Sequence, residues 1–253
     1  MPNHTAPTRT IALLLASMLL ASCATQQQSN SPTPAPFIHE TTDQYTAQQI
    51  EGFTVHISQA ALANPSTTDP ALNLLRQQLK QTIAQTPKST HSTLRNTHIW
   101  IEHNNPRFPC ACYHPDPQWL SDNNHNTDKA TGIEIANTIN FVNWVNTGQP
   151  SMILHELAHA YQHTVFGYNN PLITEPYKNA KASGTYDLVD HISGTPRAHY
   201  AMNNEIEYFA ELTESFFGFN DFYPFTRDQL KAHDPEGYAM IQSAWQWRES
   251  KTE

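Results

Sequence analysis

Residues 155–159 read His155-Glu156-Leu157-Ala158-His159. On an α-helix, positions i and i+4 lie roughly 40° apart around the axis and about 6 Å apart along it. His155 and His159 therefore share one face and can both reach one Zn²⁺ at about 2.0–2.1 Å. Glu156 projects from the adjoining position, where its carboxylate can serve as general base toward a metal-activated water. The five residues sit in an apolar run, from Ser151-Met152-Ile153-Leu154 through Ala160-Tyr161, which predicts a buried helix over about 151–166. The plain alternative is a core helix with two hydrogen-bonded histidines.

Two histidines do not complete a catalytic zinc site, which takes three protein ligands and keeps one open position. A metzincin would carry a third histidine six residues after His159, but that position is Val165. His163 lies one turn beyond His159. Three histidines stacked on one straight helix spread about 12 Å along its axis, too far to converge on one ion, so His163 is expected beside the site or at the surface. A better source is Asn204-Glu205-Ile206-Glu207-Tyr208-Phe209-Ala210-Glu211-Leu212-Thr213-Glu214-Ser215-Phe216-Phe217. Acids among so many aromatic residues are costly to bury without a compensating cation. Glu207 and Glu211 share a face by the i, i+4 rule. Glu207 is the expected third ligand. Glu211 is expected to accept the N–H of a ligating histidine and fix its tautomer. Glu175 and Glu205 compete as ligands, and a solvated acidic stripe is the bland alternative.

The segment from Asn204 to Glu211, with Tyr200 ahead of it, resembles the catalytic domain of anthrax lethal factor and related bacterial gluzincins. In that group an HExxH helix precedes an Asn-Glu-x-Glu-aromatic-Phe-Ala-Glu helix, whose second glutamate is the third zinc ligand. That glutamate corresponds to Glu207. A tyrosine seven residues earlier helps stabilise the transition state there, and it corresponds to Tyr200. The likeness covers roughly residues 150–220, so the toxin's substrate does not carry over. It implies a zinc metallopeptidase, most simply an endopeptidase acting on a protein or peptide. One Zn²⁺ would be held by His155, His159 and Glu207, with Glu156 as base and Tyr200 at the oxyanion. His199 and Tyr186 are next in line for the oxyanion role. The competing reading is a non-catalytic zinc-binding envelope lipoprotein acting as a binding module. Glu156 favours the enzyme, since a structural site needs no base.

Several elements must position these residues. Phe53, Val55 and Ile57 alternate as a half-buried strand. Asp69-Pro70 looks like a helix start, with Leu72, Leu75, Leu79 and Ile83 as its apolar stripe and an end near Thr86-Pro87. Ile99 and Ile101 flank Trp100 in a second strand. Residues 103–130 read as a long loop, of a length often functional, that could gate the cleft. Residues 132–137 form a third strand, and the resemblance to related zincins implies that its edge would accept an extended substrate. Residues 167–199 read as mostly irregular. Helices follow over 204–217, 226–233 and 235–247. The expected fold is α+β and zincin-like: a small N-terminal β-sheet lobe, the HExxH helix, and a helical C-terminal lobe.

The whole chain sets outer limits. Its 253 residues suit one medium domain, and a formal charge of −9 without a basic run excludes nucleic acid as a natural partner. No internal repeat is present. The run Ile11–Leu20 has the length of a signal-peptide core and is too short to span a bilayer comfortably. It ends in Leu20-Ala21-Ser22-Cys23, which resembles the lipobox of bacterial lipoproteins and implies lipidation of Cys23. Ala24, in place of aspartate, implies passage to the outer membrane. The expected layout is a lipoprotein signal over 1–22, a Gln/Ser/Pro-rich tether over 23–40 and the metallopeptidase domain over 41–253. The chain would then be lipid-anchored in the bacterial cell envelope. Cys110 and Cys112 are separated only by Ala111. They are expected as buried thiols or a local disulfide, because one CxC without a second pair is a weak metal signal.

Overall fold

Alternating apolar residues build a mixed five-stranded sheet, and helices cover it. The computed structural model describes residues 39–248. The signal segment, Cys23 and nearly all of the tether lie outside the described residues. In chain order the elements are β1 (Thr46–Ile50), β2 (Phe53–Ile57), α1 (Gln59–Leu62), α2 (Pro65–Gln85), α3 (His91–Arg95), β3 (Ile99–Ile101), β4 (Ala111–His114), α4 (Pro117–Asp122) and β5 (Gly132–Ile135). Six helices complete the chain: α5 (Thr138–Thr147), α6 (Met152–Phe166), α7 (Pro171–Ser183), α8 (Glu205–Phe217), α9 (Arg227–His233) and α10 (Pro235–Ala244). The fold is α+β, as expected. No described helix is long and apolar enough to cross a membrane.

The strand order is β1-β2-β3-β5-β4. Strands β2, β3 and β5 run parallel, while β1 and β4 are antiparallel to their neighbours. Glu51 and Gly52 join β1 to β2 with φ of 51° and 86°. A two-residue hairpin turn needs positive φ at both positions, which glycine supplies without strain. The register sorts the side chains by face, because successive residues of a strand point to opposite sides. Val55, Ile99, Ile133 and Tyr113 form one row of neighbours, and Ile57, Ile101, Ile135 and Ala111 another. These rows face the helical core around α2 and α6. His56, Trp100, Glu134 and Cys112 form the row between them, on the opposite face.

Several sequence expectations change. Helix α2 begins at Pro65, not near Pro70, because Asn64-Pro65 supplies the start and Pro70 is absorbed within the helix. The 103–130 segment is no open loop: it contains β4, α4 and a one-turn 3₁₀ helix, Thr127–Lys129. Strand β5 is paired on both sides, so its edge cannot accept a substrate. The edge strand beside it is β4. The 167–199 segment contains α7, which Asn170 caps and Pro171 opens. The folded part also reaches back to Glu40, whose carboxylate accepts the Gln59 and Ala60 N–H groups at 2.7 and 3.0 Å.

Candidate metal centre

Helices α6 and α8 pack against each other and carry the centre between them. Helix α6 is buried around most of its circumference, from Met152 to Gln162, with His155 only partly exposed. Its start is tied to the end of α8: Ser151 Oγ donates to the Phe219 carbonyl at 2.9 Å and accepts the Phe219 N–H at 3.0 Å. The crossing is tight enough to require glycine at 218, where a Cβ would sit 2.5 Å from Ser151 Oγ. Asn204 starts α8 by accepting the N–H groups of Ile206 and Glu207. Glu207 thus stands in the first turn, aimed at the histidines.

The i, i+4 expectation holds. The His155 and His159 rings meet edge to face, with centroids 4.6 Å apart. Glu207 Oε2 lies 3.2 Å from His155 Nε2 and 3.4 Å from His159 Nε2. One donor atom from each of the three residues falls within 4.8 Å of the others. Two imidazole nitrogens and a carboxylate oxygen converging from two helices are the donor set that suits a borderline divalent cation.

The outer ring differs from the expectation. His155 Nδ1 donates to Glu214 Oε1 at 2.7 Å, while Glu211 Oε1 stays at 3.7 Å. Glu211 Oε2 instead accepts from Asn220 Nδ2 at 2.9 Å. The His155 Nδ1 contact expected of Glu211 is thus made at hydrogen-bond distance by Glu214. Both lie on the helix face below Glu207, and Asn220 draws Glu211 aside. Glu214 follows Glu211 by three residues, so the same periodicity that selected Glu207 and Glu211 would have reached it one turn further on. His159 Nδ1 is buried without a hydrogen-bond partner.

The electrostatics are those of crowded acids. Burial pushes Glu207 up, but His159 and His155 outweigh it and hold its carboxyl well below the usual range. Burial lowers His155, yet the bonds to Glu207 and Glu214 raise it well above an ordinary imidazole. Burial raises Glu214 to about 7 against the pull of His155. Burial, reinforced by Glu214, raises Glu211 well above the carboxylate range. Three glutamates around one histidine are short of positive charge.

Glu156 is buried, and its Oε2 accepts the Tyr113 N–H from edge strand β4 at 2.8 Å. Sequence reasoning missed this contact because it uses a backbone amide and leaves no mark in residue type. Tyr200 opens a one-turn 3₁₀ helix, Tyr200–Met202, just ahead of α8, and is 38% exposed. Of the two alternatives for its role, Tyr186 has its hydroxyl committed, whereas His199 keeps its Nε2 buried without a hydrogen-bond partner. Tyr186 is buried and donates to Asp234 at 3.0 Å. His199 is buried, and its Nδ1 accepts the Ala201 N–H at 3.1 Å. His163 joins no ligand set: its Nδ1 lies 2.8 Å from the Tyr113 hydroxyl, and its ring stacks on Tyr168. Glu175 pairs with Lys178 at the surface, and Glu205 is not among the converging donors. Cys110 and Cys112 are free thiols. Comparison with protein-family models, curated proteins and solved structures finds no match.

Proposed function

We propose that the protein is a zinc-dependent peptidase of the gluzincin type, with a zincin-like arrangement of sheet, HExxH helix and ligand helix. The observation that carries the reading is the convergence of His155, His159 and Glu207, with Glu156 on the same helix. The donor set fits Zn²⁺, and the excess of buried acid around His155 is of the kind a dication relieves. When bound, Zn²⁺ supplies the Lewis acidity that makes water a nucleophile near neutral pH. Glu156 would take a proton from the water as its oxygen bonds to the scissile carbonyl carbon, and would pass that proton to the amine nitrogen as the C–N bond breaks. The Tyr113 N–H fixes one oxygen of the Glu156 carboxylate during both transfers. Tyr200 donates to the developing oxyanion. Glu214 fixes the His155 ring so that Nε2 faces the Glu207 side. An extended peptide substrate lies along the outer side of β4, next to the base whose carboxylate the Tyr113 N–H already holds. Lipidated Cys23 anchors the enzyme in the cell envelope, at the outer membrane, and the tether holds the acidic domain off the bilayer.

The test uses the full chain, elemental analysis and digestion of a broad peptide library. Wild type should hold a zinc ion that Glu207→Ala loses. Glu156→Gln should keep the metal and lose about 10²–10⁴ of turnover, since only the base is removed. Full zinc in Glu207→Ala would sink the ligand set. Zinc uptake without any hydrolysis by wild type would instead leave a metal-binding module.

A further inference from the structure

A second set of donors lies on the other face of the sheet. Cys112 and His114 are two apart on β4, so both point away from α6. Glu134 is the cross-strand partner of Cys112 on β5. His114 Nε2 lies 3.5 Å from Cys112 Sγ and 2.7 Å from Glu134 Oε2. One donor atom from each residue falls within 4.8 Å of the others. We propose that Cys112, His114 and Glu134 form a second metal site, for a borderline-soft divalent ion of the zinc class.

Three features support a built site over a chance cluster. The first is the outer support of Glu134. Its Oε1 already accepts from Lys129 Nζ at 2.8 Å and Asn105 Nδ2 at 3.0 Å, which leaves Oε2 turned toward His114 and Cys112. Ligating carboxylates are held in this way by a surrounding set of donors. The second is charge. Lys129 also binds Glu102 at 2.6 Å, so two buried carboxylates share one buried ammonium. One negative charge is left over. A divalent ion with Cys112 as thiolate adds one positive charge and closes the count. The third is access. Cys112 and His114 line a cavity of about 300 Å³ walled by Phe108 and Trp119, which offers room for a fourth ligand. Binding releases the thiol proton, and His114 then carries its one proton on Nδ1.

The placement has a consequence for the α6–α8 centre that rests on the peptidase reading. Tyr113, whose N–H holds Glu156, stands between the two β4 ligands. An ion on Cys112 and His114 would brace the edge strand on both sides of that amide.

A protonated His114 closes the same charge without a metal, and cobalt distinguishes the two. The chelator-stripped full chain is titrated with Co²⁺ while its absorption is followed. The α6–α8 centre has no sulfur, so a near-ultraviolet thiolate-to-cobalt charge-transfer band reports a cysteine ligand, and the single substitutions show that it is Cys112. The expected result is that band, together with a cobalt equivalent beyond the one held by His155, His159 and Glu207. Cys112→Ser should lose the band and that equivalent, with unchanged circular dichroism. His114→Ala should weaken the band, Cys110→Ser should keep it, and Glu207→Ala should keep it while losing the other equivalent. No band in wild type, or a band that persists in Cys112→Ser, overturns the proposal. Loss of cobalt from the α6–α8 centre alone would count only against the peptidase ligand set.

Discussion

The two donor clusters are made by different means. His155 and His159 come from one helix at i, i+4, and Glu207 meets them from the first turn of a second helix. Cys112 and His114 come from one strand at i, i+2, and Glu134 meets them through the antiparallel register of β4 and β5. Their surroundings differ as well. Around His155 the acids outnumber the cations, with Glu207, Glu211 and Glu214 crowded along α8. Around Glu134 a fully buried Lys129 ties two carboxylates together, and the Tyr45 hydroxyl donates to Glu102. The helical centre thus faces its acids with imidazoles alone, whereas the sheet cluster has a buried ammonium at its middle. The sheet cluster is wired into the fold.

The largest expected effect tests that wiring. Lys129→Met removes the one ammonium between Glu102 and Glu134 and leaves their charge buried and poorly paired. Breaking a buried ion pair from one side typically costs about 3–5 kcal/mol. Urea denaturation of Lys129→Met should show a loss of that order, whereas the surface pair Glu175–Lys178 should contribute at most about 1 kcal/mol. A loss for Lys129→Met no larger than for the surface pair would erase the contrast between the clusters.

The same contrast explains what was legible in the sequence. A helical site repeats every three or four residues, so His155, His159 and Glu207 could be selected from spacing and a recognisable segment. The helices that carry them, α6 and α8, were readable for the same reason: each has a long apolar period. A strand site depends on which strand lies alongside. Nothing local says that Cys112 faces Glu134, twenty-two residues on. Strand β4 itself is only four residues, Ala-Cys-Tyr-His, with no β-branched member, and it hid inside a segment read as loop. The edge that the resemblance to zincins places at 132–137 belongs instead to β4, which covers β5 on that side. Helix α7 was missed because Pro176 and several polar residues break its apolar stripe, although Asn170-Pro171 is a clear start.

A smaller effect bears on the outer ring of the helical centre. Glu214 makes the short bond to His155 Nδ1, while Glu211 is occupied by Asn220. Loss of a group that orients a metal-ligating histidine typically costs 10- to 100-fold in metal affinity. Glu214→Gln should therefore weaken zinc binding within about that range, and Glu211→Gln should weaken it less. Competition with a chelator of known affinity would rank the two. The reverse ranking would return the orienting role to Glu211.

The smallest effect concerns acid sensitivity on the helical side of the molecule. His199 is buried, stacked on Phe222 and crossed by the Tyr186 ring, with Glu211 Oε2 3.9 Å from its Nδ1. Burial, helped by His233 and His191, lowers it from 6.5 to about 3. The sign follows from where the proton goes. Below about pH 6.5 the unfolded chain protonates His199 while the folded chain does not, so stability is present above that value and falls as the pH drops toward 3. Each pH unit inside that window costs about 1.4 kcal/mol from this one group. His199→Asn keeps an acceptor for the Ala201 N–H and removes the titration. Its unfolding free energy should fall less steeply than wild type between pH 6 and pH 5, by roughly 1.4 kcal/mol. Parallel stability curves for the two proteins over that interval would show that the folded state takes up the proton at His199, and that this pocket is more open to water than its packing implies.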